Sequence, residues 1–159
     1  MYLVAGGAGF LGEVLIQKLL REGKKVRCFD QNLTYLKHEN LEILQGNVLD
    51  KKDVERAVEG VEVVFNNIAQ VPISKNKKLF WAVNEGGTKN LLEASLRNNI
   101  KHFIYTSSSA IYGSPISNPV NEETIPSPAE DYGKAKLAGE ILCKEFIKKG
   151  LRTTIIRPR

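Results

Sequence analysis

Short runs of apolar and β-branched residues alternate along this chain with longer stretches in which apolar positions return every three or four residues. The runs at residues 2–5, 25–29, 41–45, 61–66, 102–106 and 153–156 predict strands. The stretches at residues 10–22, 52–58, 76–98 and 128–149 predict helices, because a 3.6-residue period gathers their apolar side chains on one stripe. The strands are nearly continuous in apolar character, as expected where helices cover both faces of a sheet. This β-α-β-α rhythm predicts an α/β fold with a doubly wound, mostly parallel sheet. Right-handed crossovers then give the strand order 3-2-1-4-5-6.

Local signals punctuate the pattern. Ser127-Pro128-Ala129-Glu130 has the form of a capping box with a proline start, which predicts that the last helix begins at Pro128. Gly150 after Lys148-Lys149, and Gly23 after Arg21-Glu22, read as helix stops. Residues 113–128, rich in Pro, Ser and Asn, read as a long surface loop over a strand end. No shift in composition marks a boundary, so residues 1–159 read as one domain.

Composition adds exclusions. With 159 residues, 42% hydrophobic and 26% charged, the chain is large enough for one domain with a core. The net charge of +5 comes from scattered pairs such as Lys24-Lys25 and Lys51-Lys52, with no basic stripe interleaved with aromatics. That argues against a nucleic-acid partner. No apolar run is long enough to span a membrane, and Met1 leads directly into a strand instead of a secretory leader, so a cytoplasmic protein is expected. Cys28 and Cys143 match no metal spacing and read as free thiols in a reducing compartment. His38 and His102 have no ligand cluster around them, and no metal site is expected.

Chemistry enters with Gly6-Gly7-Ala8-Gly9-Phe10-Leu11-Gly12, which joins the first strand to the first helix. Gly6, Gly9 and Gly12 remove side chains where the backbone must turn sharply, approach a pyrophosphate and let helix meet strand. The helix start at Phe10 and Leu11 offers unpaired N–H groups to the phosphates. The strand before and the helix after are the context in which such a loop binds a dinucleotide, in a Rossmann fold. Asp30 ends the second strand about eighteen residues past Gly12. A carboxylate there can hold the ribose hydroxyls of an adenosine and repels a 2′-phosphate. Gln31 and Asn32, not Arg, follow it, so NAD is favoured over NADP.

Tyr132 and Lys136 stand at i and i+4 and share a helix face. Taken alone, the pair is a weak pattern that reads more readily as a solvated helix face. A phenol titrates near pH 10, and drawing it to about 7 takes about 4 kcal/mol. A unit charge about 4 Å away at an effective dielectric of about 20 supplies that much. Ser107, Ser108 and Ser109 end the fifth strand, where they could equally satisfy backbone groups. Phe80 and Trp81 read as packing residues.

Four segments in this order resemble the extended short-chain dehydrogenase/reductase family, in its NAD-dependent epimerase/dehydratase group. They are the glycine loop, Asn84-Glu85-Gly86-Gly87-Thr88, the stretch from Tyr105 through Ser107 and Ser108 to Gly113, and Tyr132-x-x-x-Lys136. The resemblance spans essentially the whole chain and implies specific roles. Tyr132 would be the catalytic acid/base, Lys136 would lower its pKa and hold the nicotinamide ribose, and Ser108 would hold the reacting hydroxyl. Ser107 and Asn84 would line the nicotinamide end. Asn47 and Val48 would meet the adenine, where relatives commonly have Asp before an apolar residue. Ala69 and Gln70 would pass close to the cofactor, and Asn67 stands where many relatives carry His.

The resemblance further implies a nucleotide-sugar substrate and a homodimer formed through the two long helices. Arg157-Pro158 resembles the Arg-Pro after the family's sixth strand, where relatives are about half finished. A C-terminal substrate domain is therefore expected to be absent, the chain being a fragment or a shortened relative. A non-catalytic NAD-binding sensor or scaffold, and a steroid- or flavonoid-type hydroxyl dehydrogenase of the same superfamily, remain open alternatives.

Overall fold

A computed structural model describes residues 1–70, 76–114 and 119–159. Part of the expected loop at 113–128 therefore lies outside the described residues. Six strands form one sheet: β1 (Tyr2–Ala5), β2 (Val26–Asp30), β3 (Leu41–Gln45), β4 (Val63–Asn66), β5 (His102–Thr106) and β6 (Thr153–Ile156). Their order is β3-β2-β1-β4-β5-β6, as expected, and every neighbouring pair is parallel. The sheet is thus wholly, not mostly, parallel. The helices are α1 (Phe10–Arg21), α2 (Lys51–Val58), α3 (Lys77–Trp81), α4 (Thr88–Arg97) and α5 (Asp131–Lys148).

The period-2 geometry of a strand divides the core into two layers. Leu3 pairs in register with Val64, which pairs with Phe103, and all three face α2, α4 and α5. Val4 faces the opposite way, into a smaller layer with Ile16, Leu19 and Cys28 beneath α1. Leu3, Val4, Val64, Leu91 and Phe103 are fully buried, each contributing about 1.5–3 kcal/mol by leaving water. On the α1 side the cover does not reach the β6 edge, where Thr154 and Ile156 stay exposed. Both cysteines are buried and free, and no described helix is long and apolar enough to cross a membrane.

Two helices depart from the sequence expectation. The helix expected over residues 76–98 is continuous but contains a π-helical turn at Ala82–Gly87 between α3 and α4. Side chains enter its backbone ladder: Asn84 Nδ2 donates to the Phe80 carbonyl (2.9 Å) and Thr88 Oγ1 to the Asn84 carbonyl (2.8 Å). Phe80 is buried and meets Trp81 edge-on, a packing role as expected.

The second departure is α5, which begins at Asp131 instead of Pro128. Its N-cap is Glu130, with no side-chain cap, so the expected box does not form. The Ser127 N–H is committed elsewhere, donating to the Ile111 carbonyl at 2.9 Å. That bond keeps residues 127–129 outside the helix and places Tyr132 second in α5. The two predicted stops at Gly23 and Gly150 both adopt positive φ.

Candidate active site

The site begins where β1 gives way to α1. Gly6 has φ +77 and donates its N–H to the Phe29 carbonyl, locking the loop against β2. A Cβ on Gly12 would overlap the Gly6 carbonyl oxygen, so only glycine lets α1 leave this turn. Asp30 is held facing the same loop: its carboxylate accepts from the Ala8 N–H (3.2 Å) and from the Asn32 N–H (3.0 Å).

A cleft runs along the C-terminal ends of β1 to β4, and β1 lies between β2 and β4, where the winding reverses. Open parallel sheets place ligands at such a point. Gly6, Gly9, Asp30, Asn47, Val48 and Ala69 all line this cleft. Phe10 and Leu11 do not; their side chains are exposed at the start of α1.

Two predicted cofactor residues point their side chains elsewhere. Asn84 is buried behind the 67–70 segment: its Oδ1 accepts from the Gln70 N–H and its Nδ2 donates to the Gln70 carbonyl, both at 3.1 Å. It holds the cleft wall in place instead of lining it. The Ser107 hydroxyl donates to Glu140 Oε1 at 2.6 Å, turned into the core.

The expected catalytic residues gather at the ends of β5 and α5. The Lys136 ammonium lies 5.9 Å from the centre of the Tyr132 ring and 5.2 Å from that of Tyr105. It is 2% exposed and donates to the Thr106 carbonyl at 2.8 Å. Burial draws its pKa down from 10.5 to about 8. Because the folded value lies below the unfolded one, the destabilisation is full below pH 8 and fades as pH rises toward 10.5. Ser108 caps a short 3-10 turn (Ser109–Tyr112), accepting from the Ala110 N–H at 3.1 Å. A Cβ on Gly133 would overlap the Ala110 carbonyl, so glycine next to Tyr132 lets α5 lie directly on the turn that Ser108 opens.

Two features were missed from the sequence. Thr106 Oγ1 donates to Asn67 Oδ1 at 2.6 Å while its carbonyl holds Lys136, so one residue joins the ammonium to a cleft-lining amide. The only available signal was its place at a strand's C-terminal end. The second is a fully buried carboxylate, Glu140, which takes two bonds from Arg157 at 2.9 and 2.8 Å. His38 accepts from the nearby Asn40 N–H, and His102 bonds the Thr154 hydroxyl across from β5 to β6.

The cleft has the chemistry of a dinucleotide site. Asn67 Nδ2 and Gln70 Oε1 are buried and without a partner among the described residues, and both belong to residues that line it. Such atoms cost about 1–3 kcal/mol each unless a ligand satisfies them.

The sequence matches the NAD dependent epimerase/dehydratase family over residues 2–159. The chain belongs to that family. NAD, the expected cofactor, is the cofactor of this family. Among its relatives, the uncharacterized protein y4nG of Sinorhizobium fredii is 54% identical over 99% of this chain and 40% of its own length. The 3 beta-hydroxysteroid dehydrogenase/Delta 5-->4-isomerase of Mycobacterium tuberculosis is 34% identical, over 98% of this chain and 45% of its own. The UDP-glucose 4-epimerase of Thermus thermophilus, solved with NAD, superposes with a TM-score of 0.87 at 30% identity, covering 98% of this chain and 54% of its own. The chain thus spans about half the length of these relatives.

Removal of the Asp30 carboxylate tests the ribose end. Asp30→Ala weakens NAD binding about 10- to 100-fold by titration calorimetry, the range for losing a hydrogen bond to a charged group. Unchanged affinity would remove Asp30 from the site.

Proposed function

We propose that this family member is the NAD-binding half of an oxidoreductase that acts on a secondary hydroxyl of a nucleotide sugar. The observation that carries this reading is the bonded path from Lys136 through Thr106 to Asn67, which ties the Tyr132/Lys136 pair to the cofactor cleft. When bound, NAD supplies the hydride acceptor and donor. The chain's own residues do the rest. Gly6, Gly9 and the N-terminus of α1 receive the pyrophosphate, and Asp30 the adenosine ribose. Lys136 places a fixed charge beside Tyr132, which exchanges a proton with the substrate hydroxyl. Ser108, on the turn against which α5 packs, holds that oxygen in line.

The sugar assignment draws support from the likeness to the UDP-glucose 4-epimerase. A second reading, oxidation of a steroid hydroxyl, is favoured by the 34% identity to the 3 beta-hydroxysteroid dehydrogenase. Both readings use the same proton chemistry and differ in what the other wall of the site holds. For assembly, we propose pairing through the two long helices, the continuous one from α3 to α4 and α5, which expose Leu79, Ile141 and Ile147.

The full-length protein, incubated with NAD and either UDP-sugars or 3β-hydroxysterols, separates the readings by product analysis. Interconversion or oxidation of a UDP-sugar supports the first, and NADH formation with the sterol alone supports the second. NAD binding without turnover of either class leaves a non-catalytic module.

A further inference from the structure

Lys136 carries its charge in unfavourable surroundings. It is buried, and no carboxylate among the described residues forms an ion pair with it. Among the described residues its ammonium donates to a single oxygen, the Thr106 carbonyl. Burial favours the neutral amine and brings this pKa to about 8, where a small further loss would discharge it near neutral pH. What else surrounds the nitrogen is aromatic: the centres of the Tyr105 and Tyr132 rings lie 5.2 and 5.9 Å away. A ring face within about 6 Å attracts a cation through its quadrupole, most strongly where water is excluded.

The two rings are not equivalent. Tyr132 is half-buried at the start of α5, whereas Tyr105 is buried in β5, in register with Asn66 of β4 and Ile155 of β6. The helix is fitted to that inner ring. A Cβ on Gly139 would overlap the Tyr105 hydroxyl, which makes a long bond to the Lys136 carbonyl at 3.4 Å. Burial pushes the Tyr105 phenol far up, so it stays neutral and is no rival to Tyr132 as an acid/base. The other titratable groups around Lys136 are occupied, neutral or distant. On α5, Glu140 is taken by Ser107 and Arg157, Asp131 pairs with Lys77, and burial pushes the Cys143 thiol up to about 12. Tyr112 on the 3-10 turn bonds Arg157, while Glu85, Lys89 and Lys134 are exposed. Strands β4 and β6 bring no titratable side chain.

We propose that Tyr105 is a positioning residue, whose ring face holds Lys136 in its charged form beside Tyr132. The use of that charge rests on the proton-exchange role proposed for Tyr132; its retention by Tyr105 does not.

The test reads Lys136 directly, without substrate or NAD. Carbon NMR of the methylene beside its amine, in lysine-labelled full-length protein, follows deprotonation as pH rises, and Lys136→Arg assigns the signal. Tyr105→Leu is expected to lower the midpoint by about 0.5–1.5 pH units, while Tyr105→Phe, which keeps the ring, holds it within about 0.3. A ring-fluorinated phenylalanine at position 105 has nearly the shape of the Phe side chain but an electron-poor face, and is expected to lower the midpoint as Leu does. An unchanged or raised midpoint in the Leu variant, or a fluorinated ring that matches Phe, overturns the proposal. The comparison of the two rings decides alone if the Leu variant does not fold. With a turned-over substrate in hand, the alkaline limb of the rate is expected to shift with the midpoint. A midpoint that falls while the limb stays put supports Tyr105 as the holder of the charge and overturns the role given to Tyr132.

Discussion

Tyr132→Phe lowers turnover about 10²- to 10⁴-fold, the range for one positioned acid/base group, and leaves the Kd for NAD within about threefold. The phenyl ring keeps the packing of the second residue of α5 and removes only the hydroxyl. Since Lys136 is anchored by the Thr106 carbonyl and not by the Tyr132 hydroxyl, the ammonium stays where it is in the variant. Affinity and turnover therefore separate. The pH profile of wild type carries the same signature. Lys136 gives up its proton above about pH 8, the charge beside Tyr132 disappears, and the rate declines on the alkaline side. Single-turnover kinetics with whichever substrate class the product analysis supports, alongside calorimetry with NAD, measure both quantities. A Phe variant as active as wild type would remove Tyr132 from the chemistry.

Glu140→Ala destabilises the fold by about 3–5 kcal/mol, the cost of breaking a buried ion pair by deleting one partner. Glu140 is 0% exposed and accepts from Ser107, from Arg157 Nε and from Arg157 Nη2. Arg157, whose pKa that carboxylate pushes upward, also donates to the Tyr112 hydroxyl at 2.7 Å, and Tyr112 in turn donates to the Asn121 carbonyl at 2.8 Å. One carboxylate thereby ties α5 to the residues after β5, to the 3-10 turn and to the residue after β6. Without it, a guanidinium and a serine hydroxyl lose their acceptor together. Against a total stability of about 5–15 kcal/mol, this loss is severe. Urea midpoints of the two proteins decide it, and a shift worth less than about 1 kcal/mol would show that the network relaxes around the gap.

Much of the architecture was legible in the residues. The six strands follow from short β-branched runs, and their order follows from crossover handedness, both being local or generic properties of a chain. The glycine spacing at 6, 9 and 12 was legible for the same reason: close backbone approach excludes every other side chain. The start of α5 was not legible. Ser127 and Glu130 satisfy the rules for a cap, but the Ser127 N–H has a bond to Ile111 that no window of neighbouring residues contains. The π-helical turn was hidden likewise, since an Asn and a Thr four apart look ordinary until their side chains enter the backbone ladder. Asn84 and Ser107 sit in the expected segments, yet their side chains answer to Gln70 and Glu140.

The sequence by itself determined the parallel sheet, the glycine loop, the carboxylate at Asp30 and the pairing of Tyr132 with Lys136 on one helix face. Each depends on residues close together in the chain or on the general twist of strands. Only the tertiary structure decided what the ammonium holds and what clamps the middle of α5. Those answers lie in contacts such as Thr106 with Asn67, 39 residues apart, and Lys136 with Thr106, 30 apart. They arise where neighbouring strands end side by side, a proximity that no local pattern encodes.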